Sequence, residues 1–294
     1  RGEVVRFFLT NVANTRTFHL AFGNARLKVV GSDVSKFERE EWADSIVIGP
    51  AERYIVEVRF DEDQVLENRL QVLDHTFGGF FTESMKLGEI EVGGEAAREL
   101  PRPFDSLREH EDVKREIERY RSQFSRPVDK ELLLTLETEG LPAALVRRMR
   151  ADGAYFGPVE WTETMPEMNF PTTGSQVRWT LRDRVTGKEN LDIDWRFSAG
   201  DLIKVRLVND RDALHAMQHP FHIHGQRFLV LSRNGAPSRN LVWKDTLLVA
   251  TGETVDILLE LSNPGRWMAH CHIAEHLETG MKLVFTVDTE EAKP

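Results

Sequence analysis

Six of the ten histidines and the single cysteine of this 294-residue chain fall in two short runs. The first reads His219-Pro220-Phe221-His222-Ile223-His224-Gly225. The second reads His270-Cys271-His272-Ile273-Ala274-Glu275-His276 and is followed by Met281. Side chains on a β-strand alternate faces with a period of two. On a strand, His270 and His272 therefore project from one face and Cys271 from the other, so one short strand can serve a metal site on each side. A cysteine, two histidines and a weak axial methionine form the ligand set of a blue-copper electron-transfer site. Cys271, His276 and Met281 supply three of these, with a turn after the strand bringing the last two back, and His219 supplies the second histidine. His222 and His224 share a strand face and are free to join His270 and His272 in a separate centre.

The residue types match that chemistry. Soft thiolate and thioether suit a copper that cycles between two oxidation states, and imidazole-only ligation suits coppers that bind dioxygen. Cys271 is covalently continuous with His270 and His272, which gives electrons a short path between the two faces. Zinc is the competing metal, but a closed zinc site favours several thiolates and a catalytic one rarely uses a thioether. The remaining histidines, His19, His75, His110 and His215, read as hydrogen-bonded core residues.

The elements that position these runs are mostly strands. Residues 4–10, 16–22, 26–30, 45–49 and 54–60 carry strand patterns, the last by alternating Tyr54, Val56, Val58 and Phe60 against Ile55, Glu57 and Arg59. This first module closes near Val92-Gly93-Gly94. Leu107, Val113, Ile117, Tyr120 and Phe124 recur at helical spacing and predict a helix over 105–124, capped by Asp105 or Ser106. A second short helix is expected at 142–150, with Pro142 in its first turn. Strand patterns return at 131–137, 176–181, 202–208, 220–224, 227–232, 245–250, 254–261, 266–271 and 282–287. The expected architecture is all-β: two Greek-key sandwiches with a helical insertion between them. Residues 1–94 form a partial first unit, 95–160 the insertion, and 161–294, joined by strand 131–138, the unit that carries the metal ligands.

Composition excludes several classes. Lysine and arginine number 38 against 48 aspartates and glutamates, and a net charge of −10 argues against a nucleic-acid partner. No apolar run approaches the ~18 residues of a membrane-spanning helix. There is no phosphate-binding glycine loop and no nucleophile elbow. One cysteine allows no internal disulfide. The chain starts inside a strand pattern with no signal peptide, so a preceding segment is expected.

The two runs resemble the C-terminal copper-binding signatures of the multicopper oxidases, the laccase-like family. The resemblance implies that His219, Cys271, His276 and Met281 are type 1 copper ligands, His222 a type 2 ligand, and His224, His270 and His272 type 3 ligands. Gly49-Pro50-Ala51-Glu52-Arg53-Tyr54 and Asn11-Val12-Ala13-Asn14-Thr15-Arg16 look like that family's middle cupredoxin domain. Trp243-Lys244-Asp245-Thr246 resembles the segment whose carboxylate lies beside a type 1 histidine, so Asp245 is expected to hydrogen-bond one. The implied activity is one-electron oxidation of phenols or similar small reducing substrates, or of metal ions, near an imidazole edge of His219 close to the surface. Four coppers would couple it to reduction of dioxygen to water.

Family members have three cupredoxin domains, and the first supplies four further histidines. Its motifs are not in this chain, which implies an N-terminal cupredoxin partner. The resemblance also implies an extracellular or periplasmic location. Leu277 stands where many bacterial relatives carry a proton-delivering glutamate, leaving Glu275 and Glu278 as candidate acids, though each reads more simply as an exposed helical carboxylate. Met165, Met168, Met217 and Met268 could bind cuprous ions but read better as core residues. The readings from other classes are a copper-binding electron-transfer module with only the type 1 site functional, and a nitrite reductase. The second is disfavoured because Cys271 is flanked by histidine on both sides.

Overall fold

A computed structural model describes residues 1–74, 79–98, 103–153, 157–161 and 176–289. They form two β-sandwiches in sequence. In the first, one sheet has the order β1 (Glu3–Thr10), β6 (Arg53–Phe60), β3 (Leu27–Ser32), β4 (Ser35–Ala43). The facing sheet runs β5 (Ile46–Ile48), β2 (Phe18–Phe22), β7 (Gln64–Asp74), β8 (Gly79–Ile90). Alternation fixes which side is inward: Val56, Val58 and Phe60 pack with Phe22, Leu27 and Ile48 between the sheets. Strands β4, β7 and β8 were not anticipated from the sequence. Both faces of most of β8 are exposed, so its pattern carries no apolar alternation to read.

The second sandwich is larger. Its outer sheet runs β10 (Val177–Asp183), β9 (Lys130–Thr138), β12 (Leu202–Asn209), β18 (Thr254–Glu260), β14 (Arg227–Arg233) and β15 (Ala236–Pro237), with β16 (Trp243–Lys244) also paired to β14. The second sheet has the order β11 (Arg196–Ser198), β20 (Lys282–Asp288), β19 (Gly265–Cys271), β13 (His219–Ile223) and β17 (Thr246–Val249). Strand β9 lies between β10 and β12 in this sandwich. The expected metal ligands lie on the second sheet or on the turns that follow β13 and β19.

The helix expected over 105–124 is shorter. Helix α1 spans Glu111–Glu118, followed by a 3-10 turn at Arg121–Gln123, and neither Asp105 nor Ser106 caps it. The preceding residues pair with β4 instead: Glu40 N–H donates to Arg108 O (2.9 Å) and His110 N–H to Glu38 O (2.8 Å). Strand pairing satisfies that backbone, so the helix begins only at Glu111. Val113 and Ile117 pack on Leu229, Leu231, Trp243 and Leu258 of the second sandwich, so α1 joins the two units rather than merely linking them. Helix α2 (Ala143–Gly153) buries Met149 in the second core. Among the described residues no helix is long and apolar enough to cross a membrane.

The two sandwiches meet through charge. The Lys244 ammonium, from the second, is buried beside Asp33 (2.9 Å) and Glu52 (3.3 Å) of the first and donates to Ser32 Oγ (2.6 Å). Its ring neighbour is Tyr54, 5.1 Å from the ammonium. Burial alone would lower the Lys244 pKa, but the surrounding oxygens outweigh it and hold the amine charged. Gly49 lets the chains approach: a Cβ there would meet Leu248 at 3.0 Å. Removing one partner of a buried ion pair leaves the others uncompensated and costs about 3–5 kcal/mol. Lys244→Met is therefore expected to lower the unfolding free energy by about that amount, read from urea denaturation; a loss within experimental error would mean that the cluster contributes nothing to docking.

Candidate metal centres

Strand β19 separates the two candidate sites as its alternation requires. In the pairing of β13 with β19, Phe221 lies opposite Cys271 and His222 opposite His270. Phe221, Ile223 and Cys271 face the sandwich interior, where they join the main core. His222 and His270 face the other way.

The interior site contains His219, Cys271 and His276, all buried. Cys271 Sγ lies 3.6 Å from His219 Nδ1 and 3.4 Å from His276 Nδ1, and the two nitrogens are 3.2 Å apart. A point equidistant from all three atoms is roughly 2 Å from each, an ordinary metal–nitrogen distance. His276 reaches the site because the five-residue helix α3 (Ala274–Glu278), entered from Ile273, turns the chain back after β19. Gly280, with a φ of +133°, then permits a close pass over Trp179 O that returns Met281 to the strand. Met281 is fully buried, and its carbonyl accepts the Cys271 N–H at 3.1 Å.

Burial sets the charge state of this site. It pushes the Cys271 thiol well above its ordinary value, because an isolated thiolate there would be desolvated. It pushes His219 down to about 3, with a smaller effect from His215, and His276 well below its ordinary value. The pocket thus presents neutral imidazoles and a sulfur whose deprotonation requires a compensating cation, which fits a soft metal ion.

Trp179 is the residue that sequence reasoning missed. Its ring stacks on His276 with centroids 3.7 Å apart and meets His219 edge-on at 5.2 Å. The signal was present: Val177, Trp179 and Leu181 share the inward phase of an expected strand, though nothing in that phase says which core residue they touch.

The outer site gathers His222, His224 and His270, with ligand nitrogens within 4.8 Å of one another. The Nε2 atoms of His224 and His270 are 2.9 Å apart. His272 is exposed, with its ring 5.7 Å from that of His270 and 6.0 Å from that of His222, and it stands outside the closest group. Two tautomers are fixed by acceptors that cannot donate. His270 Nδ1 donates to Cys271 O (2.8 Å) and His222 Nδ1 donates to Asp245 O (3.0 Å), so each ring offers Nε2 as its free donor atom. Burial lowers both to about 4, with neighbouring histidines adding to the effect.

Two expectations are corrected here. Asp245 does not bond a histidine of the interior site. Because β13 pairs with β17 with His222 opposite Thr246, the Asp245 carboxylate lies 3.7 Å from His222 Nδ1, on the outer face. Nor does His219 reach the surface: it is 1% exposed and His276 is 3% exposed. Glu275 is exposed and accepts from Asn14 Nδ2, and Glu278 is exposed, which supports the simpler reading of both. His110 Nδ1 donates to Phe37 O (2.7 Å), and His19 Nε2 pairs with Ser45 Oγ (2.7 Å), the contacts of structural histidines. Met217 is buried in the core and Met268 lies on β19; Met165, Met168 and His75 lie outside the described residues.

A β-sandwich with a buried Cys-His-His pocket behind a strand that carries histidines on its other face defines a cupredoxin-type fold with a candidate soft-metal site. Residues 160–291 match the family model described as multicopper oxidase. It is 37% identical over 81 residues to Laccase-2 of Trametes versicolor, covering 26% of this chain and 16% of that one. It is 43% identical over 77 residues to a multicopper oxidase of Staphylococcus aureus, covering 26% of this chain and 17% of that one. Among solved structures, a multicopper oxidase from Campylobacter jejuni described as a metallo-oxidase superposes with a TM-score of 0.63 at 21% identity, covering 97% of this chain and 53% of that one. A bacterial laccase-like multicopper oxidase from Ochrobactrum sp. gives 0.63 at 22% identity, over 97% of this chain and 56% of that one. The chain thus spans about half the length of these solved structures, and the matched segment is a smaller part of the curated relatives. The family implies copper.

His215, buried beside Trp179, supplies a test of how burial controls these imidazoles. Burial pushes it down to about 4. The folded protein keeps it neutral while the unfolded chain protonates it below about 6.5. Its contribution to stability is therefore present above about pH 6.5 and is lost as pH falls towards 4. His215→Phe should reduce the acid-dependent loss of stability between pH 6.5 and 4 by about 3 kcal/mol, measured as urea midpoints of the metal-free chain at the two pH values.

Proposed function

We propose that this chain is the copper-binding part of a laccase-like multicopper oxidase. The observation that carries the reading is the two-faced strand β19, with Cys271 turned inward to His219 and His276 and His270 turned outward to His222 and His224. In this reading His219, Cys271, His276 and Met281 hold a type 1 copper. His222 is a ligand of a type 2 copper, and His224, His270 and His272 are ligands of a type 3 pair. Copper supplies one-electron exchange at the thiolate site and reduction of dioxygen to water at the imidazole site.

The chain's own residues bind, orient and shield. The core around Cys271 excludes water from the sulfur, and Trp179 holds the His276 ring by stacking. The peptide between His270 and Cys271, closed by the His270 Nδ1–H bond to Cys271 O, joins the two sites through few covalent bonds. Burial of both interior imidazoles supports electron entry through the protein rather than by direct ligation of substrate. Phenolic or similar small reducing molecules, or metal ions, are the proposed donors. The Ochrobactrum relative, described as having oxidase activity towards lignin model compounds, supports the phenolic class.

The outer site offers four imidazoles here, of which His272 is exposed. That supports completion by an N-terminal cupredoxin domain carrying four further histidines, and four coppers in the full assembly. The same exposure favours a second reading, an electron-transfer module that uses only the type 1 site. An exported location, extracellular or periplasmic, belongs to the proposal.

Copper titration with metal counting and visible spectroscopy tests it. The chain should develop an intense thiolate-to-copper band, and Cys271→Ser should abolish that band while copper bound by the outer histidines is retained. About four coppers and dioxygen reduction in the assembly with its first domain support the oxidase; a single copper with no dioxygen reduction supports the module; no band at all overturns both. Met281→Leu should raise the reduction potential of the blue centre in a redox titration, because a weak axial ligand is lost; an unchanged or lower value removes Met281 from the ligand set.

A further inference from the structure

The first sandwich reaches the edge of the outer histidine site through Arg53. Arg53, on β6 of that sandwich, makes a two-pronged bond to Asp245 of the second, with Nη1 to Oδ1 at 2.6 Å and Nη2 to Oδ2 at 2.7 Å. The Arg53 fork is itself held: Nη1 also donates to Ala51 O (3.1 Å) and lies 3.5 Å from Asp33. Asp245 Oδ1 accepts a further bond from the Thr246 hydroxyl at 2.8 Å, and Thr246 Oγ1 lies 2.9 Å from His222 Nδ1.

The proton directions along this chain follow from what each group can do. A guanidinium only donates and a carboxylate only accepts. The Thr246 proton is therefore committed to Asp245, which leaves its oxygen as an acceptor. His222 Nδ1 then faces two acceptors, Thr246 Oγ1 and Asp245 O, and must carry the proton. Its Nε2 is left as the lone pair that faces His224 and His270.

We infer that Arg53 is a positioning residue for the outer site: by pinning the Asp245 carboxylate across the domain boundary, it fixes the Thr246 hydroxyl and so the tautomer and orientation of His222. Without Arg53 the carboxylate is free to turn and the Thr246 hydroxyl can point at His222 Nδ1, so the Asp245 carbonyl is left as the single acceptor holding the Nδ1 proton, and a population with the proton on Nε2, the atom a metal would need, becomes accessible. Docking of the two sandwiches and readiness of a ligand are thereby one event. A bidentate arginine is required because a lysine, as a point charge, fixes one oxygen and leaves the plane of the carboxylate undetermined.

The inference rests on His222 being a copper ligand, but its test reads the copper-free chain. Imidazole ¹⁵N–¹H spectra should show a single His222 tautomer, protonated at Nδ1. In Arg53→Gln a second tautomer should appear. Copper affinity at the outer histidines should fall about 10- to 100-fold, the usual cost of losing a group that orients a ligand, while the thiolate band at Cys271 keeps its position. A merely structural role would leave the tautomer untouched and shift only the unfolding midpoint. If Arg53→Gln does not fold, Asp245→Asn breaks the same chain from the other end and carries the test. A single, unchanged His222 tautomer in a folded variant overturns the inference. Failure of the outer histidines to bind copper in the unaltered chain overturns the copper reading instead, and leaves the tautomer result standing.

Discussion

One β-strand presents candidate metal ligands on both of its faces, and most of the structure serves to make those faces different. Inside, Cys271 sits among Phe221, Ile273 and Met281 with no exposed surface. Outside, His222 and His224 are half-buried and His272 is exposed. The strand's two-residue period makes this separation obligatory, since a slip of one residue would send the thiol outward and the imidazoles into the core. The pairing of Phe221 with Cys271 and of His222 with His270 is what locks the phase.

Electrostatics ties that sheet to the rest of the molecule. Lys244 and Asp245 are neighbours in sequence and point into the first sandwich by different routes. Lys244 enters a buried pocket of Asp33, Glu52 and Ser32, and Asp245 takes the Arg53 fork. Burial alone would raise the pKa of Asp245, but bonds from Arg53 and Thr246 outweigh it and keep the group below its ordinary value. The carboxylate thus stays charged beside a histidine that burial keeps neutral. Such a contact is sensitive to domain docking in a way that purely apolar packing is not, because charge pairs lose their compensation when one side withdraws.

Much of the site was legible because its spacing is local. Six histidines, one cysteine and one methionine lie within two runs and a short return turn, and strand periodicity alone sorts Cys271 from His270 and His272. The all-β architecture was equally legible, with the longer strands of the second sandwich anticipated and the short β11, β15 and β16 missed. Strand β8 escaped because most of it is exposed on both faces, and the start of α1 was misplaced because residues 108–110 pair with β4, a long-range contact that helical periodicity cannot register.

What the sequence determined by itself was the candidate donor set and its division between two faces, since both follow from residue type and a period of two. What only the tertiary structure decided was which distant groups surround those donors. Trp179 stacks on His276 from 97 residues away, and Asp245 stands beside His222 instead of the interior histidines because β17 lies in a particular register with β13. Arg53 reaches Asp245 across a domain boundary of 192 residues. Local spacing fixes direction along a strand, but partners across sheets and domains are set by packing and by the pairing of buried charge, and neither has a short-range signature in sequence.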